Sequence, residues 1–210
     1  MCYNKEVSMT TFIIGAGLSG LLYKRGDKYD KHIASLFFFV TLIQLAEYFI
    51  WIDQDCGTIN KFASNSIRVI LFLQGFVSVM GGYYFNTYDK LYSNKYLKYI
   101  LLTIMVWYGI FTVFDYGNGC TKETTEGHLE WELTKGKIEE YPITTRLLYY
   151  SCLFLPWLFV KDTFKGRLLF ALLFLPFLYF RFNFDTWESF WCLYSVAIPV
   201  IFLNLHIFKK

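Results

Sequence analysis

Apolar residues in this chain come in long blocks, without the spacing of an amphipathic helix or a half-buried strand. They fill 7–23, 33–52, 67–85, 99–114, 147–160, 168–180 and 190–208, and charged residues gather in the stretches between. Blocks of up to about 20 residues match a hydrocarbon core of about 30 Å crossed at 1.5 Å per residue. The pattern predicts an all-α integral membrane bundle of seven transmembrane helices, a single domain over residues 1–210. Blocks 147–160 and 168–180 are short and hold Pro156 and Pro176, so each is expected to kink or break. One long connection, 116–143, is rich in glycine and charge but carries apolar anchors at Leu129 and Trp131. It reads as a solvated loop, with a lid over the outer face as the alternative. No repeat of 20–50 residues is visible.

Composition agrees with the pattern. The chain is 55% hydrophobic and 22% aromatic, and its 18% of charged residues falls below the quarter or so usual in soluble domains. Mean hydropathy is +0.35. A net charge of +3 with no basic stripe along any helix argues against nucleic acid as a partner. The implied partner is the lipid bilayer, with a small ligand or ion as a further possibility.

Charge also sets an orientation. Alternate connections hold Lys24, Arg25, Lys28 and Lys31, then Lys90, Lys95 and Lys98, then Lys161, Lys165 and Arg167, then Lys209 and Lys210. These twelve cations sit with four acids, whereas the other side carries eight cations and thirteen acids. The positive-inside rule then places the N-terminus outside and the C-terminus in the cytoplasm, an outcome that requires an odd number of spans.

The first block contains Gly15-Ala-Gly17-Leu-Ser-Gly20, which matches the G-x-G-x-x-G dinucleotide fingerprint. That motif has meaning only inside a βαβ unit, and here it leads into a charged turn and another apolar block. Small-residue helix packing is the expected role, through the pairs Ala16/Gly20 and Gly15/Ser19. A cleaved signal peptide is a third reading, against which Glu6 breaks a purely positive leader.

Polar residues within the blocks concentrate towards the predicted outer side. Gln44, Glu47 and Trp51 share one face of the second block, and Asn65, Arg68 and Gln74 lie on the third. Asp115 closes the fourth block, Tyr149 and Tyr150 lie in the fifth, and Arg181, Glu188 and Ser195 belong to the last two. A lipid-facing carboxylate at such depth costs about 2.5–3.5 kcal/mol, so Glu47 should face other helices or a wet cavity. Arg68 or Arg181 are its natural partners, or those of Asp115 and Glu188. The leading reading is a transporter-like or ligand-binding bundle whose outward-facing cluster around Glu47, with Gln44 and Arg68, takes a ligand, proton or ion. The alternative is a non-catalytic structural or membrane-organising protein whose buried polar residues only fix helix packing. The inner half offers only Thr41, Ser78 and Asn204 by comparison, with His32 at a membrane edge.

Of five cysteines, Cys2, Cys56, Cys120 and Cys192 fall on the outer side, where disulfides are possible. Cys56–Cys120 and Cys2–Cys192 are candidate pairings, although spacing leaves the connectivity open. Cys152, inside the fifth block, reads as a small apolar filler. No clustering of Cys and His suggests a metal, and no cofactor motif is present. Seven-helix zinc hydrolases need several buried His, and a retinal protein needs a Lys in the last block; this chain has neither.

Several details together resemble a known family. They are Met1-Cys2-Tyr3 with Val7-Ser8, Gln44-x-x-Glu47-x-x-x-Trp51, Asp55-Cys56 with Asn60, Gln74, and Glu188-Ser189-x-Trp191-Cys192. They are similar to those of small multi-pass membrane proteins of giant DNA viruses and some microbes, a family without an assigned activity. Asn4 stands where that family has Ser. The resemblance implies a membrane location and, for a viral source, a host or virion membrane.

Overall fold

The computed structural model describes residues 4–89, 92, 94–114, 119–124, 127, 129–130, 143–183 and 194–205. These form an all-α protein. Helix α1 spans Lys5–Lys24, α2 Lys28–Ile52, α3 Thr58–Tyr84, α4 Lys95–Phe114, α5 Ile143–Phe154, α6 Thr163–Asn183 and α7 Ile198–Asn204. A 3₁₀ turn, Leu155–Phe159, follows α5, and two-residue strands β1 (Lys122–Glu123) and β2 (Leu129–Glu130) pair antiparallel. Four helices, α1, α2, α3 and α6, are long and apolar enough to cross a membrane.

Local chemistry explains where the helices start and stop. Asn4 caps α1 by accepting the Val7 amide at 2.8 Å, and Glu6 and Lys24 sit at the ends that the helix dipole favours for their charges. Gly26, with φ +92°, turns the chain, and Asp27 then caps α2 by accepting the Tyr29 amide at 2.8 Å. So short a turn forces α1 and α2 to pack antiparallel. Gly57 starts α3 without a capping side chain, and Asp53 supplies the missing acceptors: Oδ1 to Gly57 N at 3.0 Å and Oδ2 to Asn60 N at 3.1 Å. Those amide hydrogen bonds, from Asn60 and then Gly57, hold the Asp53 carboxyl below its usual pKa.

The two prolines behave differently. Pro156 ends α5 in the 3₁₀ turn, as proline sterics require. The Leu153 carbonyl at this break accepts both the Trp157 indole N–H (3.1 Å) and the Ser78 hydroxyl (3.0 Å). Pro176, in contrast, lies inside α6, and the helix runs through it to Asn183 without a break. α3 also starts well before the apolar block at 67–85, taking in Asn60 and Lys61, which apolar counting alone does not reach.

α2 is the central element. It packs along α1 on one side and α3 on the other, with α7 against both α1 and α2, while α4 and α5 pack on α3. Sixty-one per cent of its apolar window is buried, against 22% for α1 and for α6. The distribution of polarity is inverted relative to a water-soluble bundle. Ile13, Ile14 and Leu21 of α1, Ile100 and Trp107 of α4, and Leu175 and Tyr179 of α6 are exposed, whereas Ser8, Ser19, His32, Gln44, Glu47, Asn60 and Gln74 are buried. An apolar exterior of this extent marks a membrane or partner surface.

Along α1, Gly15 and Ser19 are buried, and a Cβ on Gly15 would strike Thr41 of α2 and lie 2.7 Å from Val196 Cγ1. Gly17 and Gly20 have open space around them. Of the two expected small-residue pairs, Gly15/Ser19 makes the helix contact, and Gly20 of the other pair does not. The glycines belong to helix packing, with no βαβ unit around them.

The connections gather at two ends. At one end, the α1–α2 turn, residues 85–89 and residues 160–165 meet: Tyr88 bridges to Val160, and the Lys161 amide donates to the Thr87 carbonyl at 2.8 Å. At the other end, the α2–α3 turn is joined to 120–123.

Candidate functional site

The α2–α3 interface is a column of buried polar contacts in constant antiparallel register. At the end next to the α2–α3 turn, Asn60 Nδ2 donates to the Asp53 carbonyl at 2.7 Å. Deeper, Gln74 Nε2 donates to the Phe39 carbonyl at 3.4 Å and Gln74 Oε1 accepts the Tyr149 hydroxyl at 2.8 Å, which brings α5 to the same level. At the far end, the His32 ring lies against Gly81. This register sets Glu47 and Gln44 of α2 level with the Asn65–Arg68 turn of α3.

Gln44 and Glu47 are one helical turn apart, and Gln44 Nε2 donates to Glu47 Oε2 at 3.0 Å. Both have 0% exposure, as does Gln74, and Arg68 is buried as well. Trp51 extends the same face of α2 by one more turn. Its indole N–H is buried and meets no acceptor among the described residues, and Asn65 Oδ1 is likewise buried without a donor. Gln74 is bonded to Phe39 and Tyr149, not to the Gln44–Glu47 pair. Ser195 is fully buried and Arg181 is exposed. Asp115, Glu188, Cys2 and Cys192 lie outside the described residues, as does Trp131. No group of three His, Cys, Asp or Glu suited to a metal occurs among the described residues.

The end at the α2–α3 turn is stapled. Cys56 and Cys120 form a disulfide with a Cα–Cα distance of 5.5 Å. Next to it, Thr121 is bound at every polar atom: its amide donates to Asn60 Oδ1 (3.1 Å), its carbonyl accepts Asn60 Nδ2 (2.8 Å), and its hydroxyl accepts the Ser64 hydroxyl (2.9 Å). Asn60 and Ser64 are one turn apart, so residues 120–121 run along α3 as a strap. Leu129 is buried in the main apolar core, as an anchor should be. Cys152 is a free, buried thiol.

The opposite end of the bundle, around His32, is more polar than the apolar pattern suggests. His32, expected at a membrane edge, is fully buried. Its Nε2 faces the carbonyls of Val77 and Ser78, both at 3.2 Å, so that nitrogen carries the proton and donates. Nδ1 then accepts from the Thr87 hydroxyl at 3.0 Å. The ring also stacks at 4.4 Å on Trp157, and the buried Tyr88 hydroxyl donates to the Ser78 and Val79 carbonyls at 2.8 Å each. The adjacent Gly81 and Gly82 leave room for the two rings. The break at Pro156 belongs to this cluster around His32 and not to the surroundings of Glu47.

No family model, no curated protein and no solved structure matches this chain.

Proposed function

We propose that the chain is a multi-pass integral membrane protein, N-terminus outside and C-terminus cytoplasmic, with a non-catalytic, membrane-organising role. In this reading the buried polar residues hold the helices in register. The observation that carries it is the zero exposure of Gln44, Glu47, Gln74 and His32. They form a dry interior column whose partners are other helices or their own neighbours, as buried polar groups in lipid require. Orientation rests on two independent features. Cations concentrate at the end where Lys165 meets Asp27 and Asp30, and the disulfide lies at the opposite end, as an oxidising outer compartment would favour. Seven spans and a host or virion membrane follow from the block pattern and the family resemblance.

Alkaline carbonate extraction followed by thiol labelling of sealed cells tests this. A chain retained in the pellet, with Thr58→Cys labelled from outside and Thr163→Cys protected, supports the assignment. Release by carbonate, or the reverse labelling, contradicts it.

A second reading is favoured by one observation, the buried Trp51 indole N–H without an acceptor among the described residues, one turn from Glu47. An occluded site for a small polar ligand or ion would use both groups. Vesicle uptake that Glu47→Gln abolishes, while folding is retained, would establish it.

A further inference from the structure

The cationic end of the bundle is a constructed surface, not a scatter of lysines. Two segments far apart in sequence, 24–31 and 161–167, contribute seven cations and three carboxylates. Asp30, 1% exposed, joins them: it takes the Arg25 guanidinium on Oδ2 and Lys165 Nζ on Oδ1 at 3.1 Å. Lys165 also reaches Asp27 Oδ1 at 3.5 Å. Arg25 Nη1 further donates to the carbonyls of Phe202 (3.0 Å) and Leu203 (3.1 Å), which ties the end of α7 to the same point. The third carboxylate, Asp162, accepts the Lys165 amide at 3.0 Å and so caps α6.

All three acids are therefore committed to holding the elements together. Asp30 pairs with Arg25 and Lys165, and Asp27 with Lys165, whereas Lys24, Lys28, Lys31, Lys161 and Arg167 are without an ion pair among the described residues. These cations ring the surface, and two of them sit over aromatic rings: Lys28 Nζ is 5.0 Å from the Tyr29 ring centre, and Lys31 Nζ is 5.8 Å from that of Tyr23. Tyrosines at this height are the usual interfacial belt of a membrane helix. The cations thus stand at headgroup level beside exposed apolar helix, where charge opposite to theirs is supplied by lipid.

We propose that this face binds anionic phospholipid headgroups, and that Asp30 preorganises it by clamping Arg25 and Lys165 away from the lipid. The proposal rests on the membrane reading above. It commits to lipid because the cations adjoin the apolar belt and because cytoplasmic leaflets are the anionic ones.

The test uses the full chain in nanodiscs of phosphatidylcholine alone or with about 20% phosphatidylserine. Thermal unfolding should be higher by at least about 3 °C in the anionic discs, with the gain removed by about 0.5 M salt. Lys24→Gln/Lys28→Gln/Lys31→Gln should lose the gain while unfolding like wild type in neutral discs. Lys61→Gln, at the opposite end, should keep it. Equal unfolding in both discs, or a full gain in the triple variant, overturns the proposal. If soluble polyglutamate stabilises the protein in neutral discs as well as phosphatidylserine does, the partner is an acidic peptide and the lipid assignment falls. Flotation at alkaline pH separates this from failure of the membrane reading: a chain that floats but ignores headgroup charge contradicts only the proposal.

Discussion

The imidazole of His32 lies on Gly81, where an added Cβ would sit 2.6 Å from ring Cδ2 and 2.8 Å from Nε2. Four elements converge on this contact: α2 through His32, α3 through the Val77 and Ser78 carbonyls, the 85–88 turn through Thr87, and the 3₁₀ turn through Trp157. Gly81→Ala must push the ring off those carbonyls. The expected cost is about 1–3 kcal/mol, the range for overpacking a filled interior. Thermal unfolding in detergent measures it. Gly17→Ala, at a helix position with open space, should unfold like wild type or slightly later.

The Cys56–Cys120 bond closes a loop with a sequence separation of 64. Chain-entropy reasoning gives such a cross-link about 4 kcal/mol, with about 2–4 the common measured range. Cys56→Ser should therefore lower the unfolding temperature by several degrees and abolish the mobility difference between reduced and non-reduced protein on a gel. An unchanged gel pattern between wild type and Cys56→Ser would remove the staple from the account.

Acid should loosen the end at the α2–α3 turn first. The folded pKa of Asp53 lies below its ordinary value of 3.8 because the Asn60 and Gly57 amides bind the carboxylate. Its contribution to stability is therefore complete above pH ~4 and is lost as pH falls through the lower folded value. Asp53→Ala removes that contribution at every pH. Unfolding temperature measured from about pH 6 down to 3 should drop more steeply for wild type than for Asp53→Ala over the last unit.

The Tyr149–Gln74 hydrogen bond is one polar link between α5 and the α2–α3 column, beside the bond from Ser78 to the Leu153 carbonyl. Tyr149→Phe keeps the ring and removes the donor to Gln74 Oε1. Within a membrane such a bond is worth about 0.6 kcal/mol on average and up to about 1.7. The loss of unfolding free energy in Tyr149→Phe should fall in that range, and a loss near zero would detach α5 from the column.

Much of the architecture is legible in the order of residues, because a bilayer-length helix needs only apolarity and length. α1 and α2 follow from their blocks at 7–23 and 33–52, whereas their capped starts at Asn4 and Asp27 are seen only in the structure. Cys56–Cys120 was one of the candidate bonds, but the order of residues did not fix the connectivity, which depends on how residues 120–121 fold back along α3. The cluster around His32 was not legible. His32 looks like an edge residue until Gly81 and Gly82 are known to lie opposite it, and that depends on register, which apolar counting does not contain. Pro176 misleads as well: α6 runs through it to Asn183 without a break, although an interior proline was expected to kink or end the helix. At the candidate site, Gln44 and Glu47 were predicted neighbours from their spacing. That Gln74 bonds with Tyr149 required the fold.

The central claim is that Glu47 stabilises packing and is not poised for a ligand. Thermal unfolding of Glu47→Ala in nanodiscs tests it most directly. Removing the carboxylate leaves Gln44 Nε2 without its acceptor in a fully buried position, a loss of about 1–3 kcal/mol. The account predicts an unfolding temperature several degrees below wild type. An unchanged or raised temperature, as when a site kept for function at the expense of stability is removed, would contradict it.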